Sequence, residues 1–555
     1  MQLTFTLWAI GLATSENARG TSPDGPGRPW LGARKHWSRV AHGEPPAVRL
    51  RGIADPAERW RSRTLFGLLF VGLLPGCALG PDFVPPAPPA VAGYLPPIGP
   101  ASATEFVPGQ TLVAGGEIPS RWWEAFRSRH LNDLIESGIE HNPSLLAAEA
   151  SVRMAQANAA AQEGALFPVI GANFNPTRQE IPPKALISNA ATDATIYSLH
   201  TGQVTIAYVA DVFGGVRRQI ESARAQAELQ TFQREGVYLT LTSNIALAAI
   251  QEASLRAQIA ATRRIVELQT QLLDILHRQI ERGQIAQPDV VTQETAVAQA
   301  RLLLPPLERQ LQQQRNLLAV LTGRFPGDYT DRSFELASFR LPREVPLSLP
   351  ADLVRQRPDI RATEAAVHSA NAQVGVAIAN RFPQITLTGN VGSTALAFSQ
   401  LFSPGTAAWL MAGNIAQTVF DGETLRNREA AAEENWRVTV AQYQSTVLTA
   451  FQNVADTLRA LQADARTLRA AIAAEQSAAR GIELVRRQVE RGQVSLPILL
   501  NAEQAYLQTS LARVQAEAAR LADTVALFQA LGGGWWNNWE AQTVLAADMN
   551  RLQIK

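Results

Sequence analysis

The chain has 555 residues and a formal net charge of +1, with 46% apolar, 7% aromatic and 18% charged residues. A near-neutral balance gives no electrostatic footprint for nucleic acid, and one cysteine excludes an internal disulfide framework and any multi-cysteine metal site. The chain has no GK pair of a phosphate loop, no HExxH and no GxSxG, and its histidines, His130, His141, His277 and His368 among them, show no metal or triad spacing. A non-enzymatic protein with no catalytic residues, metal or cofactor is expected.

Residues 1–58, rich in Pro, Gly and Arg, read as a mis-assigned or disordered extension, with the true start expected near Val48 or Leu50. Residues 59–76 read as a lipoprotein signal peptide. Arg59, Arg61 and Arg63 precede an uncharged run from Leu65 to Leu74, followed by Pro75-Gly76-Cys77. That run is too short to span a bilayer as a helix. A cysteine just after the cut resembles the bacterial lipoprotein pattern, with Pro75 as a departure. The resemblance implies acylation of Cys77, and Ala78, which is not the aspartate of inner-membrane retention, implies the outer membrane. Gly80-Pro81-Asp82-Phe83-Val84-Pro85-Pro86 then opens a lipid-anchored, Pro-rich tether over 77–120.

Two copies of one unit follow, over 121–340 and 341–536. Asn142-Pro143 opens a helical run closing at Leu166-Phe167-Pro168, and Arg357-Pro358-Asp359 opens one closing at Arg381-Phe382-Pro383, 215 residues later at both ends. Asp211-Val212-Phe213-Gly214 is echoed by Phe420-Asp421-Gly422. Gln279-Ile280-Glu281-Arg282-Gly283-Gln284 returns as Gln488-Val489-Glu490-Arg491-Gly492-Gln493, and Leu321-Thr322-Gly323 as Leu531-Gly532-Gly533. Each unit reads helix, strand pair, long helix, tight turn, shorter helix.

The strands are expected at 168–174 and 197–209 and again from Gln384, where Ile385, Leu387 and Val391 alternate with Gln384, Thr386, Thr388 and Asn390. Such alternation suits a barrel strand between lipid and a wet lumen, and equally a soluble sandwich. The helices decide between them. No proline occurs from Gly215 to Arg282 or from Glu423 to Arg491, so each stretch would reach roughly 100 Å as one helix. Return helices are expected over 290–323 and 498–531, with Ile265, Leu268, Leu272 and Ile275 as a coiled-coil-like seam. Four strands cannot close a transmembrane barrel; two chains meet the minimum of eight, and three supply twelve strands and a twelve-column helical tube.

These motifs, together with Cys77-Ala78-Leu79-Gly80-Pro81-Asp82-Phe83, Trp122-Trp123-Glu124-Ala125-Phe126 and Ala530-Leu531-Gly532-Gly533-Gly534-Trp535, resemble the outer-membrane factor (TolC-like) family in its lipoprotein channel subgroup. The resemblance implies a mostly α fold with a β-barrel portion: a homotrimer with a 12-stranded outer-membrane barrel continued by a 12-helix periplasmic α-barrel. It implies a passive channel of a tripartite efflux pump, taking small molecules from a periplasmic adaptor (membrane fusion) protein and an inner-membrane transporter. Arg282, Gly283, Gln284, Arg491, Gly492 and Gln493 would be the adaptor-contacting tips. Family members often carry an acidic ring beyond the second tip, but Ile498 and Asn501 depart from it, and only Asp289 of the first unit is acidic. The periplasmic gate expected here comprises Ile498, Leu499, Asn501 and Asp289, with an apolar constriction by Ile498 and Leu499 and hydrogen bonds from Asn501. The rival readings are a type I protein secretion channel and a structural periplasmic coiled-coil lipoprotein, the latter without strand pairs. The tail, 537–555, is expected to wrap the middle of the tube.

Overall fold

The computed structural model describes residues 78–91, 93–94, 110–181, 195–329, 333–491 and 493–537. The expectations for 1–58, for the signal at 59–76, for Cys77, for Gly492 and for all of the tail beyond Asn537 lie outside the described residues.

The first unit runs α1 (Arg129–His141), α2 (Pro143–Glu163), β2 (Val169–Ile181), β3 (Thr195–Ala210), α3 (Gly215–Glu281), α4 (Gln287–Leu302) and α5 (Leu304–Leu321). The second repeats the order with α6 (Pro350–Gln356), α7 (Pro358–Ala379), β5 (Gln384–Ala395), β6 (Ala407–Ala416), α8 (Thr424–Glu490) and α9 (Leu496–Ala530). Helices α3 and α8 are each unbroken over 67 residues, about 100 Å of rise. The strand pairs rule out a protein of helices alone.

The return path of the first unit corrects the expectation of one helix over 290–323. It breaks at Leu303, between α4 and α5. Pro305 and Pro306 cause the break, because neither can donate an amide hydrogen and both are tolerated only in a first helical turn. The second unit has a single proline here, Pro497, placed in the first turn of α9, and its return helix is continuous over 35 residues. The seam is also corrected at its lower end. Ile265 is buried, but Ile275 is 43% exposed and Leu276 takes the buried place.

The duplicated motifs turn out to be joints. Asn142 caps α2, its Oδ1 accepting from Ser144 N at 2.9 Å, while its Nδ2 donates to Leu321 O at the end of α5. Arg357 holds the same place before α7, donating from Nη1 to Ala530 O at the end of α9, 2.7 Å away. Its guanidinium also forks onto Asp359, with bonds of 3.0 and 2.6 Å. Both joints satisfy carbonyls that a helix end leaves open. Asp211 and Asp421 serve the other end: Asp211 accepts from Val216 N and Arg217 N ahead of α3, and Asp421 from Leu425 N ahead of α8.

The main core lies part-way along the long helices. Trp122, Trp123 and Phe126 are fully buried against Leu241 to Ala253 of α3, Val454 to Ala465 of α8 and Val514 to Phe528 of α9. The ring of Trp122 stacks on Phe528 at 5.4 Å. Small residues such as Ala246, Ala249 and Ala253 let α3 approach its neighbours closely. A parallel pair, β1 (Thr111–Ala114) with β4 (Glu344–Leu347), closes this region, and Trp535 Nε1 donates to Gln356 O at 2.7 Å.

Arg357→Ala removes two kinds of contact at one buried joint. It should cost about 1.5–3 kcal/mol, the range of a charge-assisted hydrogen bond, and lower the thermal midpoint of the helical circular dichroism. Arg357→Lys should recover only part, since an ammonium cannot fork onto Asp359 while holding Ala530 O.

Candidate functional site

The four long strands form one antiparallel sheet in the order β2-β3-β5-β6. Its register joins the apolar positions into one face. Ile170 pairs with Ile206, Ala172 with Val204 and Phe174 with Gly202; Val204 pairs with Val391, and Tyr208 with Leu387. Then Ile385 pairs with Ile415 and Val391 with Trp409. Directly paired residues share a face, so apolar side chains run across the whole sheet. Ile170, Phe174, Leu387, Trp409 and Ile415 are exposed. The opposite face carries Asn173, Asn175, Gln203, Thr205, Thr386, Thr388 and Asn390. The strands have 13, 16, 12 and 10 residues, enough for the 9–11 needed to cross a bilayer when tilted. Both end strands, β2 and β6, leave an unpaired edge among the described residues of the single chain.

Beneath the sheet, residues 79–83 of the expected tether are held against the helices. Leu79 N donates to Phe213 O, and Arg218 of α3, its side chain 5% exposed, gathers the segment. Its Nε donates to Leu79 O at 3.1 Å, and its Nη2 to Gly80 O at 3.2 Å and Asp82 Oδ1 at 2.7 Å, while Nη1 bonds Glu221. Burial works against the Arg218 charge, but the bonds to Glu221 and Asp82 outweigh it and hold its pKa above the ordinary value. Asn371 of α7 donates to Pro81 O, and Phe83 stacks on His368 at 4.3 Å. Close approach explains Gly375: a Cβ there would lie 2.8 Å from Leu79 O and 2.9 Å from Arg218 Cγ. The segment thus ties α3 to α7 at their sheet-side ends, next to the Phe213–Phe382 stack.

At the far end of the long helices lie the tip residues. Gly283 N donates to Ile280 O and Gln284 N to Gln279 O, a Schellman turn in which Gly283 takes φ +68°. The second tip repeats the longer bond, Gln493 N to Gln488 O. Arg282, Gly283, Gln284, Arg491 and Gln493 are exposed. Beyond the second tip, Ile498 is 45% exposed and Asn501, one turn on, is also exposed. Leu499 does not join them. At 2% exposure it packs inside its own chain, which corrects the expectation that it shares the constriction. Asp289 is half-buried in the first turn of α4, where a carboxylate favours the helix dipole.

Sequence reasoning missed a polar cluster behind Leu499. Glu503 of α9, Gln269 of α3 and Gln293 of α4 are all buried, and the Gln269 side chain bonds Glu503. Gln293 Nε2 donates to Gln269 O at 2.9 Å. The signal was the glutamate itself, whose polar type on an apolar stripe passes for a surface residue when only one helix is considered.

The model of the outer membrane efflux protein family matches residues 134–324 and 349–533. The chain belongs to that family. Among relatives of this outer membrane efflux protein, the probable efflux pump outer membrane protein TtgC of Pseudomonas putida is 30% identical over 466 residues, covering 84% of this chain and 94% of that protein. The pyoverdine export outer membrane protein OpmQ of Pseudomonas putida is 28% identical over 457 residues, covering 81% and 94%. Among solved structures, the outer-membrane channel OprN superposes with a TM-score of 0.74 at 25% identity, covering 83% of this chain and all of that one. The Campylobacter jejuni CmeC channel, at 19% identity and a TM-score of 0.76, shares the fold over 85% of this chain and 98% of its own. This outer membrane efflux protein is therefore an efflux channel protein of the outer membrane with a helical periplasmic portion.

The tether contacts predict a proteolytic phenotype. Arg218→Ala should let a protease nick residues 78–91 at least several-fold faster than in the wild type, while helical content stays unchanged. Equal cutting rates in the two proteins would show that the guanidinium does not hold the segment.

Proposed function

We propose that three copies of the chain join β6 of one protomer to β2 of the next, closing a twelve-stranded barrel that continues into a twelve-column helical conduit. The supporting observation is the sheet itself. Its four strands carry one continuous apolar face, one neutral polar face and two bare edges. A bare edge in hydrocarbon leaves backbone donors and acceptors without water, at several kcal/mol per group, so only closure is tolerable. The apolar face meets lipid, and the Asn, Gln and Thr side chains line a wet lumen.

In this reading the protein does no chemistry. It is the passive exit of a tripartite pump, loaded through a periplasmic adaptor by an inner-membrane transporter. Cys77 is acylated and leaves its lipid in the outer membrane, with the Arg218-bound segment as the link to the barrel rim. The tips, Arg282, Gly283 and Gln284 with Arg491, Gly492 and Gln493, meet the adaptor. Their exposed guanidiniums offer several donors each to carbonyls or carboxylates of a partner. Ile498 and Asn501 form the constriction at the periplasmic end. Relatives of similar identity carry names that specify antibiotic, toluene or pyoverdine export. That spread supports a conduit that leaves the choice of cargo to its partners.

Two experiments test the reading. In planar bilayers the wild type should be mostly closed, and Ile498→Ala combined with Asn501→Ala should raise conductance several-fold; unchanged closed behaviour would remove these residues from the constriction. In cells, Arg282→Glu with Arg491→Glu should abolish export while leaving the amount of protein in the outer membrane unaltered. Full export by that double variant would rule out an adaptor role for the tips.

A further inference from the structure

The polar cluster behind the tips has one proton too few. Glu503 is 1% exposed, and the side chains of Gln269 and Gln293 are nearly as hidden. Three of their oxygens, Glu503 Oε2, Gln269 Oε1 and Gln293 Oε1, have no hydrogen-bond donor. Buried acceptors of this kind are rare and destabilising. A protonated carboxyl would supply the missing donor, since its O–H can bond an amide oxygen. The cluster lies one turn beyond the buried Leu499, and a cavity of about 590 Å³, lined by Gln269, Leu500, Gln504 and Leu507, opens beside it for water and protons.

We propose that the Glu503 carboxyl is a proton-operated latch: protonated, it donates to Gln269 or Gln293 and holds the first turns of α9 against α3 and α4, and ionised, it releases them. The surrounding charges leave it this freedom. Arg486 of α8 is the cation that acts on Glu503, and burial prevails over it and over the bond from Gln269, pushing the carboxyl up to about 7. Asp274 and His277 on α3, Glu294 on α4 and the Glu483–Arg487 pair on α8 lie on exposed faces and are not among the groups that act on it. The sign follows from the raised value. Latching is fully present below the ordinary carboxylate range and is lost as pH rises through about 7. A conduit held in this way closes more firmly as the periplasm acidifies. That consequence rests on the constriction proposed above, but the latch does not.

Amide hydrogen exchange on the full chain in lipid nanodiscs tests the latch directly. Corrected for intrinsic base catalysis, protection of residues 496–507 should fall about tenfold between pH 6 and pH 8. Glu503→Gln, which keeps an amide donor, should stay protected at both values. Flat protection in the wild type would overturn the proposal whatever the variant does, and so would a Glu503→Gln protein that keeps the wild-type response. A second carboxyl, that of Asp464 on α8, is also raised, by burial and by its hydrogen bond with Asp523 of α9. Asp523 stands twenty residues along α9 from Glu503, about 30 Å away, so loosening centred on residue 523 would assign the proton to that site and overturn the latch. Bilayer recordings at the two pH values separate the readings: a pH-dependent latch with unchanged conductance counts against the constriction alone.

Discussion

A polypeptide in hydrocarbon must satisfy its own backbone hydrogen bonds, and that requirement organises the whole molecule. Four strands with bare edges are not a stable object in lipid, so the chain is built as part of something closed. The consequence reaches the helices. Once strands are spent on a shared wall, each must continue into a helix that also forms part of a wall, and only helices as long as α3 and α8 extend that wall far from the membrane. Asp211 and Asp421 stand where this conversion happens, each occupying the free amides at the start of a long helix.

Long walls need bracing, and the bracing sits where sequence motifs are densest. Trp122, Trp123 and Phe126 fill the space between α3, α8 and α9 part-way along their length. Asn142 and Arg357 fasten each return helix to the helix that begins the same unit. The segment Ala78 to Phe83 fastens the two units to each other from the outside, through Arg218 and Asn371. The apolar core braces only one stretch of such long helices, and polar clips at helix ends fasten the return helices to the helices that begin each unit.

The sequence made the duplication, the long helices and the alternation from Gln384 readable because each is a local periodic signal. What escaped it was whatever depends on neighbours. Leu499 has the same chemistry as Ile498, and only the approach of another helix decides that one is buried and the other exposed. Ile275 fits a seven-residue spacing, yet over a straight helix that spacing drifts from the actual 3.6-residue turn, and Leu276 ends up inside. The β1–β4 pair joins segments more than two hundred residues apart, with too few residues in either to show a pattern. The role of Arg357 was hidden for the same reason, because its partner Ala530 O belongs to the far end of the unit.

Duplication did not leave the two halves mechanically alike. The first unit returns through two helices with a joint at Leu303, and the second through one rod of 35 residues. Around the proposed ring of three copies, jointed and stiff spokes would alternate. Such a ring has six arms in outline but only three that bend readily. Any widening of its mouth would therefore proceed as three leaning elements sliding past three fixed ones, in the manner of an iris with every other blade pinned.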